Sequence, residues 1–344
     1  MKKQSKLLAL LLACAMTLAL SACGGNSATT STPAGSAAPA ASGSAAATGD
    51  KTYTIGICQL VQHNALDAAT KGFKDALTEK LGDKVKFVEQ NAAGDSATCA
   101  TICNQFVSSN VDLIMANATP ALQAATAATN SIPILGTSVT DYGTALSIAD
   151  WKGTTGTNVT GTADLAPLDK QAEMIKTLFP DKKNVGILYC SAEPNSKYQS
   201  TEITKYLTDA GYTCKEYTFA DSNDVAAVTK TACDESDVLY VPTDNTAASC
   251  AESINNIAEP AKVPIVAGES GICTGCGVAT LSIDYYDLGV VTGNMAYEVL
   301  VNGADPATTE IQFAPKTTYQ YMADRCEKLG VKVPSDYVAI EVEK

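Results

Sequence analysis

Hydrophobic residues recur along most of this chain with two alternating periods. Cys99, Ile102, Cys103, Phe106 and Val107 have the spacing that places side chains on one face of a helix. The next segment, 111–116, is continuously apolar, which is typical of a strand buried on both faces of a sheet. Further strands, most of them followed by helical patterns, are predicted at 53–60, 85–89, 132–135, 185–189, 212–219, 238–241, 263–267 and 278–283.

Strands that alternate with helices in two series of similar length predict an α/β fold with two doubly wound parallel-sheet lobes joined by a hinge. A body of residues 51–344 is long enough for two such lobes. We expect the first lobe at 51–160 and the second at 161–284. The break between them is expected near 158–161, because the surrounding segment is rich in Gly and Thr and poor in apolar residues.

The first fifty residues differ from this body. Three lysines precede an apolar run from Leu7 to Leu20, which is the layout of a secretory signal segment. The stretch Leu20-Ser21-Ala22-Cys23 resembles the bacterial lipoprotein box, which implies that residues 1–22 are removed and Cys23 is lipidated; the alternative is an ordinary signal peptide. Residues 23–50, nearly all small or polar, predict a disordered tether. We therefore expect an extracytoplasmic protein anchored to the cell membrane by Cys23.

Charge and cysteine content narrow the class of partner. Of 24 basic residues, three lie in the signal segment, so 21 remain against 37 acidic residues and the mature net charge is −16. This balance disfavours nucleic acid as a partner. Of twelve cysteines, ten remain besides Cys14 and Cys23. We expect mostly buried free thiols, with Cys273 and Cys276 as the best candidate pair for a local disulfide. A single pair is too few for a typical zinc site, so we expect no metal, and we expect no cofactor.

Ligands of open parallel sheets bind beyond the carboxyl ends of the strands, and two facing lobes bring two sets of strand ends to one cleft. The residues directly after the predicted strands are therefore the candidate ligand-binding residues. In the first lobe they are Gln59, His63, Thr119, Pro120, Ser138 and Thr140. In the second lobe and at its end they are Asn195, Asp244, Asn245, Glu269 and Asp284.

The chemistry of the two sets is complementary. A helix opened by Thr119 and Pro120 offers backbone N–H groups and a positive dipole end to a carboxylate, and hydroxyl groups add further donors. Asp244 and Glu269 on the other lobe would neutralise an ammonium group. The pattern fits an α-amino acid zwitterion.

Each assignment has a structural alternative. Thr119, Asp244, Asn245 and Asp284 are all suited to capping the helix that follows. His63, the single histidine, could simply satisfy a backbone group. Asp164 is expected to order the hinge or to cap the next helix.

The strand-end segments, taken in order, match a known family. The chain resembles ABC-transporter substrate-binding proteins of the tryptophan/tyrosine-binding type, which have the type I periplasmic-binding fold. The matching segments are Ile55-Gly56-Ile57, Gln62-His63-Asn64-Ala65-Leu66-Asp67, Gln90-Asn91-Ala92-Ala93-Gly94-Asp95, Gln105-Phe106-Val107, Val111-Asp112-Leu113-Ile114, Ala118-Thr119-Pro120-Ala121, Val139-Thr140-Asp141, Asn158-Val159-Thr160-Gly161, Tyr240-Val241-Pro242-Thr243-Asp244-Asn245 and Asp284-Tyr285-Tyr286-Asp287-Leu288-Gly289. The family's usual Pro after Val-Thr-Asp is Tyr142 here.

The resemblance implies three crossings between the lobes. It implies a return helix at 285–303 that belongs to the first lobe, with 311–344 completing the second. It also implies an aromatic L-amino acid as the leading ligand class and, as partners, an ABC permease with its ATPase. We expect a monomer that closes about its hinge when the ligand bridges both lobes.

Three other functions stay open from the sequence. A sugar or nucleoside is the alternative ligand, and Trp151 near the hinge is a candidate stacking face for it. A ligand-sensing partner of a membrane receptor would use the same fold. An exported enzyme is disfavoured, because the chain has no Gly-x-Ser-x-Gly elbow, no His-Glu-x-x-His motif and one histidine only.

Overall fold

The computed structural model describes residues 51–341, and the predictions for the signal segment, Cys23 and the tether lie outside these residues. Two mostly parallel sheets are flanked by helices, which confirms the predicted α/β fold with two parallel-sheet lobes. The strands are β1 (Tyr53–Gln59), β2 (Val85–Asn91), β3 (Leu113–Asn117), β4 (Ile134–Val139), β5 (Val159–Ala163), β6 (Asn184–Cys190), β7 (Thr213–Phe219), β8 (Val238–Val241), β9 (Ile265–Ala267), β10 (Ala279–Ile283), β11 (Gln312–Phe313), β12 (Thr317–Tyr321) and β13 (Val338–Ala339).

Twelve α-helices are found in the described residues. They are α1 (Asn64–Leu81), α2 (Ser96–Ser108), α3 (Thr119–Ala128), α4 (Tyr142–Leu146), α5 (Leu168–Leu178), α6 (Pro194–Asp209), α7 (Val225–Glu235), α8 (Asn245–Ser249), α9 (Ala251–Ala261), α10 (Ser270–Cys276), α11 (Tyr285–Val301) and α12 (Ala323–Leu329), with a 3-10 turn at Gly82–Lys84. No helix within 51–341 is both long enough and apolar enough to cross a membrane.

The first sheet has the strand order β11-β5-β4-β3-β1-β2, and the second has the order β13-β12-β10-β9-β8-β6-β7. Only the β10–β12 pair is antiparallel among the pairings within 51–341. The central strands β3, β4 and β8 are buried along their whole length, as the continuous apolar runs predict. All carboxyl ends of the central parallel strands in a sheet therefore lie at one edge.

Helix α2 shows how the sequence pattern becomes local structure. The Asp95 side chain accepts from the backbone N–H groups of Ala97 and Thr98 and caps the helix. Cys99, Ile102, Cys103 and Phe106 are buried together, so the predicted helix face is confirmed. The two cysteines pack there as small hydrophobic side chains.

The chain crosses between the sheets in three places: after β5, between β10 and α11, and between β11 and β12. Because β5 pairs with β4, residues 159–161 of the expected hinge at 158–161 belong to the first sheet, and the expected hinge at that position is wrong. The first crossing instead covers residues 164–167. Helix α11 packs on α1 of the first lobe at a close approach, where a Cβ on Gly72 would lie 2.1 Å from the Tyr286 carbonyl oxygen. Within the segment 311–344, β11 joins the first sheet and only β12 and β13 join the second.

Two residue groups noted in the sequence lie in the lobe interiors. The ten cysteines within 51–341 are all free, and eight of them are buried. Cys273 and Cys276 lie on α10 as separate thiols, so the candidate disulfide is not formed. Tyr142 is fully buried, donates to the Thr162 carbonyl and stacks on Trp151 with ring centroids 6.2 Å apart. Both aromatic rings therefore belong to the core of the first lobe.

Candidate functional site

The strand ends of the two lobes form two facing rims. The first-lobe rim consists of residues 59–63, 117–120, 137–141 and 164, and the second-lobe rim of residues 190–199, 242–246 and 268–271. Each rim follows the central strands of its sheet. This placement brings the predicted site residues to one region, apart from Asp284 at the second crossing.

On the first-lobe rim, Gln59 organises its own turn. Its amide nitrogen donates to Asp67 (2.6 Å) and to the Val61 carbonyl, and its oxygen accepts from Thr70 (2.7 Å). Neighbouring Asn117 donates to the Leu66 carbonyl and to Thr70. These bonds use both polar atoms of the Gln59 amide, so its role in the structure is to hold the turn between β1 and α1.

Thr119 and Ser138 differ from Gln59, because they are buried but have hydroxyl oxygens without a hydrogen-bond partner among residues 51–341. Ala118, not Thr119, is the N-cap residue of α3, so the capping alternative for Thr119 is wrong. Pro120 follows it in the first turn, as predicted. Ala118 (φ 92°) and Ser138 (φ 53°) also have left-handed backbone conformations, which non-glycine residues rarely adopt. Such strain is concentrated at functional sites.

The second-lobe rim is a dense hydrogen-bond network around Glu193. Its carboxylate, 4% exposed, accepts five hydrogen bonds from Asn195, Asn245 and Thr246. Asp244 accepts from the backbone N–H groups of Cys190 (2.7 Å) and Ala247 (2.7 Å), and from the Ser196 hydroxyl. Asp244 thus caps α8, and its known contacts all lie in its own lobe. This is the capping alternative left open by the sequence.

The other two predicted acids also cap helices. Glu269 accepts from the backbone N–H groups of Gly271 and Ile272 at the start of α10. Asp284 accepts from the Asp287 N–H at the start of α11 and is exposed. Glu269 is only 2% exposed and bonds to Gly271, which lines the same cavity as His63, whereas Asp284 lies outside the polar centre.

Two side-chain contacts connect the rims. His63 Nε2 lies 3.3 Å from Asn245 Oδ1, and Gln199 donates to the Thr140 hydroxyl over 3.4 Å. Thr140 donates in turn to Asp164, which also accepts from Tyr285 at the second crossing (2.9 Å). The lobes therefore touch through polar groups on both sides of the cleft.

Buried acids give this centre its electrostatic character. Burial raises the pKa of Asp164 to about 6, although the hydroxyls of Tyr285 and Thr140 act in the opposite direction. Burial also raises the pKa of Glu269, which His63 and two backbone N–H groups partly offset. Burial and the neighbouring Glu193 raise the pKa of Asp244. A cation entering the site would therefore be stabilised by these carboxylates.

Two cavities border the polar centre. One of about 400 Å³ is bounded by Leu60, Val61 and Pro120 on the first lobe and by Cys190 and Glu193 on the second. The other, of about 730 Å³, lies on the His63 side and reaches α8, α9 and α10. Both volumes are in the range of small-molecule sites. No three His, Cys, Asp or Glu side chains of residues 51–341 are grouped so as to hold a metal ion.

Several residues of the site were missed or underestimated in the sequence. Glu193, Gln199 and Tyr285 were not singled out, and Asp164 was assigned only to the hinge or to a cap. Asp164 could have been found as a strand-end residue, had β5 been recognised as a strand. Asn195 was predicted, and its Oδ1 atom is buried without a partner within the described chain.

Known proteins resemble this chain over most of its length. Residues 54–342 match the family model described as ABC transporter substrate binding protein. A tyrosine-binding protein of Clostridioides difficile (strain R20291) is 40% identical over 265 residues, which cover 75% of this chain and 76% of that protein.

Two solved structures show the same architecture. An ABC domain in complex with L-Trp from Streptococcus pneumonia is 34% identical, with a TM-score of 0.80, and covers 84% of this chain and 100% of its own. The ligand-free, open structure of a substrate binding protein with adhesive properties from Clostridium difficile is 36% identical and covers 85% of this chain and 100% of its own, yet its TM-score is 0.65. At nearly equal identity, the present structure is closer to the L-Trp complex.

Proposed function

This chain belongs to the ABC transporter substrate-binding protein family, and from that membership we propose that it captures an aromatic L-amino acid between its lobes. As a member of that family it is extracytoplasmic and serves an ABC transporter. The observation that carries the ligand proposal is a set of buried polar atoms on the two rims, from Thr119, Ser138, Asn195 and His63, that have no protein partner within 51–341. Buried polar groups are nearly always hydrogen-bonded, so we assign these rim atoms to the ligand.

The two ends of an amino acid find suitable groups at different positions on the rims. The Thr119 and Ser138 hydroxyls, beside the first turn of α3, suit the carboxylate. Glu269 and Asp164 are buried acids suited to the ammonium group. In this assignment Asp244 keeps its place in the network that orders the second-lobe rim, and its contribution to the ligand is indirect.

The aromatic class is supported by the relatives and by the cavity of about 400 Å³. Leu60, Val61 and Pro120 give that cavity an apolar wall beside the polar centre. A ring placed there would leave the α-carbon groups at the two rims. Its burial would contribute about 25 cal/mol per Å² of apolar surface.

Capture would proceed by closure of the two lobes. The cross-lobe contacts and the higher TM-score with the L-Trp complex both support a closed arrangement in this structure. A ligand that contacts both rims binds the closed form more tightly and shifts the population towards it. We infer a monomer that presents this closed form to the permease and its ATPase.

Anchoring by Cys23 is part of the same proposal, supported by the lipoprotein-box sequence and the small, polar composition of residues 23–50. The test is cell fractionation of the full chain. Cys23→Ser should move the protein from the membrane fraction to the soluble fraction; retention on the membrane would contradict lipidation at this residue.

The ligand is tested by calorimetry and thermal shift with L-tryptophan, L-tyrosine and L-phenylalanine, beside their D-enantiomers, L-isoleucine, a hexose and a nucleoside. A ligand at a hundred times its Kd should stabilise the protein by about 2.7 kcal/mol. Binding of the L-aromatic set, with recovery of unchanged ligand, is expected. Binding of the hexose or nucleoside alone would overturn the ligand assignment, and chemical conversion of the amino acid would overturn the non-enzymatic role.

A further inference from the structure

The hydrogen bonds of Glu193 orient the side chain of Asn245, which contacts His63 on the opposite lobe. Every partner of the Glu193 carboxylate is a donor: the backbone N–H groups of Asn245 and Thr246, the side-chain amides of Asn195 and Asn245, and the Thr246 hydroxyl. Among these bonds, Asn245 Nδ2 donates to Glu193 over 2.7 Å. The reverse orientation of this amide would place its oxygen against the carboxylate oxygen. Glu193 therefore determines which way the Asn245 amide points.

The orientation of Asn245 leaves its Oδ1 atom towards His63 Nε2, at 3.3 Å. An amide oxygen has no hydrogen to donate, so the hydrogen bond requires a proton on Nε2. In a neutral imidazole with Nε2–H, the other nitrogen is an acceptor. His63 Nδ1 is buried and has no hydrogen-bond partner in the described part of the chain. In the neutral imidazole, Nδ1 is thus an acceptor still to be satisfied at the edge of the site, whereas in the imidazolium it would be a donor.

We propose that Glu193, acting through Asn245, holds His63 in the Nε2–H tautomer, so that Nδ1 accepts a hydrogen bond from the α-ammonium group of the captured amino acid. The proposal rests on the proposed function, because it assigns one contact of that ligand. Glu193 is a positioning residue in this arrangement, and His63 is a ligand-binding residue.

The charge distribution selects the ammonium group over the carboxylate as the partner of Nδ1. His63 and Gly271 line the same cavity, and the Gly271 N–H donates to the buried Glu269 carboxylate, so this acid lies on the His63 side of the site. The unpartnered hydroxyls that suit a carboxylate belong to Thr119 and Ser138, after different strands. A ligand carboxylate placed against Nδ1 would meet both an acceptor and the Glu269 charge. An ammonium group there meets an acceptor and a compensating charge.

His63 is the only histidine of the chain, so its two ring nitrogens can be observed without assignment ambiguity. The protein is labelled with ¹⁵N-histidine, freed of any histidine tag and examined by multiple-bond ¹H–¹⁵N NMR spectroscopy. The spectra are recorded near pH 8, because a free imidazole is mostly neutral at about that pH. We expect the Nε2–H pattern in the ligand-free protein, and a shift concentrated on Nδ1 when L-tyrosine is added. A predominant Nδ1–H pattern, or an Nδ1 resonance that does not respond to saturating L-tyrosine, would overturn the proposal.

Glu193→Gln tests the positioning role in the same spectrum. The glutamine amide can either donate or accept, so it no longer requires the Asn245 amide nitrogen to point towards position 193. The tautomer ratio should move towards a mixture in this variant, whereas Glu327→Gln, at an exposed position of α12, should leave it unchanged. An unchanged ratio in folded Glu193→Gln would show that Glu193 does not act through Asn245. Asn245→Ala provides a second route to the mixture if the Glu193 variant does not fold.

The ammonium contact is tested by calorimetry with L-tyrosine and with 3-(4-hydroxyphenyl)propanoate, which lacks the ammonium group. His63→Gln keeps an amide donor for Asn245 but has no acceptor at the Nδ1 position. Removal of the ammonium should weaken binding to the native protein about tenfold more than binding to His63→Gln. Equal losses of affinity in the native protein and in His63→Gln would overturn the proposed contact between His63 and the ammonium group. Failure of both L-tyrosine and L-tryptophan to bind would instead remove the proposed function, and with it the ammonium contact, while the tautomer stays measurable.

Discussion

The two rims of the cleft differ in how their polar groups are satisfied. On the second-lobe rim, Glu193 accepts five hydrogen bonds and Asp244 accepts three, all from their own lobe. On the first-lobe rim, Thr119 Oγ1 and Ser138 Oγ are buried without partners in the part of the chain that the structure describes. The second rim is therefore built largely by internal bonds, with Asn195 Oδ1 left unpartnered, whereas on the first rim two buried hydroxyls have no partner among residues 51–341.

Backbone conformation follows the same division. Ala93, Ala118 and Ser138, each close to the end of a first-sheet strand, have left-handed φ angles. In the second lobe, within residues 168–283, Lys262 is the only non-glycine residue with a positive φ, and it lies at the C-terminus of α9. Strained backbone is maintained only where the surrounding structure imposes it, and it clusters at binding sites. The first rim thus has both strain and unsatisfied polar atoms.

The largest predicted effect is on the second rim. Glu193→Ala leaves several buried donors without an acceptor, so the free energy of unfolding should fall by about 3 kcal/mol or more. Urea denaturation of the ligand-free protein measures it. Glu193→Gln keeps one acceptor oxygen and should lose less.

Glu252→Ala is the matched control, because this glutamate is exposed in the first turn of α9 and should change stability by no more than about 0.5 kcal/mol. Equal stabilities of the Glu193 and Glu252 variants would show that the internal bonds of Glu193 do not stabilise the second rim, and the contrast between the rims would be lost.

An intermediate effect is expected at Asp164, which ends the first rim. Its folded-state pKa of about 6 lies above the ordinary value of 3.8, so the folded protein binds more protons than the unfolded chain between these values. Stability from this group is therefore greatest at low pH and falls as pH rises towards about 6. A shift of this size corresponds to about 3 kcal/mol. The difference in free energy of unfolding between native protein and Asp164→Asn should change by about that amount between pH 4 and 7.

Groups distant from Asp164 titrate alike in both proteins, so their contributions cancel in this difference. Urea midpoints at four or five pH values are sufficient. A difference that stays constant across the range would show that Asp164 is not buried as an acid in solution.

The fold could be predicted because its central strands are apolar throughout, as in Val111–Ala116, and its helices have clear buried faces. Strand β5 was the exception. Its sequence, Val-Thr-Gly-Thr-Ala, looks like a loop because its threonines are polar. In the structure Thr160 donates to the Thr309 carbonyl, and Thr162 bonds to Thr137 and Thr292. Hydroxyl groups paired inside the lobe made a buried strand resemble a hinge.

That the candidate site residues lie close together could also be predicted, since strand ends converge in any parallel sheet. The different roles of the individual residues within the site could not be predicted. Glu193 bonds to Asn245 and Thr246, more than fifty positions away, and no local pattern indicates that partnership. Caps are equally ambiguous: Asp244 and Thr119 look alike before a helix, yet one accepts three bonds and the other has an unpartnered hydroxyl among the described residues.

The smallest predicted free-energy change bears most directly on the first rim. Thr119→Val removes a hydroxyl that bonds to no protein atom within 51–341 and preserves the shape of the side chain. Stability of the ligand-free protein should therefore be unchanged or slightly higher. Affinity for L-tyrosine should fall about tenfold, or about 1.4 kcal/mol, because a ligand hydrogen bond is lost. Thr229→Val is the matched control: this hydroxyl is likewise buried and unpartnered in the described chain, but it lies on α7. If both variants bound L-tyrosine as the native protein does, the unpaired hydroxyl of Thr119 would be a packing feature of the first lobe, and only the second rim would recognise the ligand.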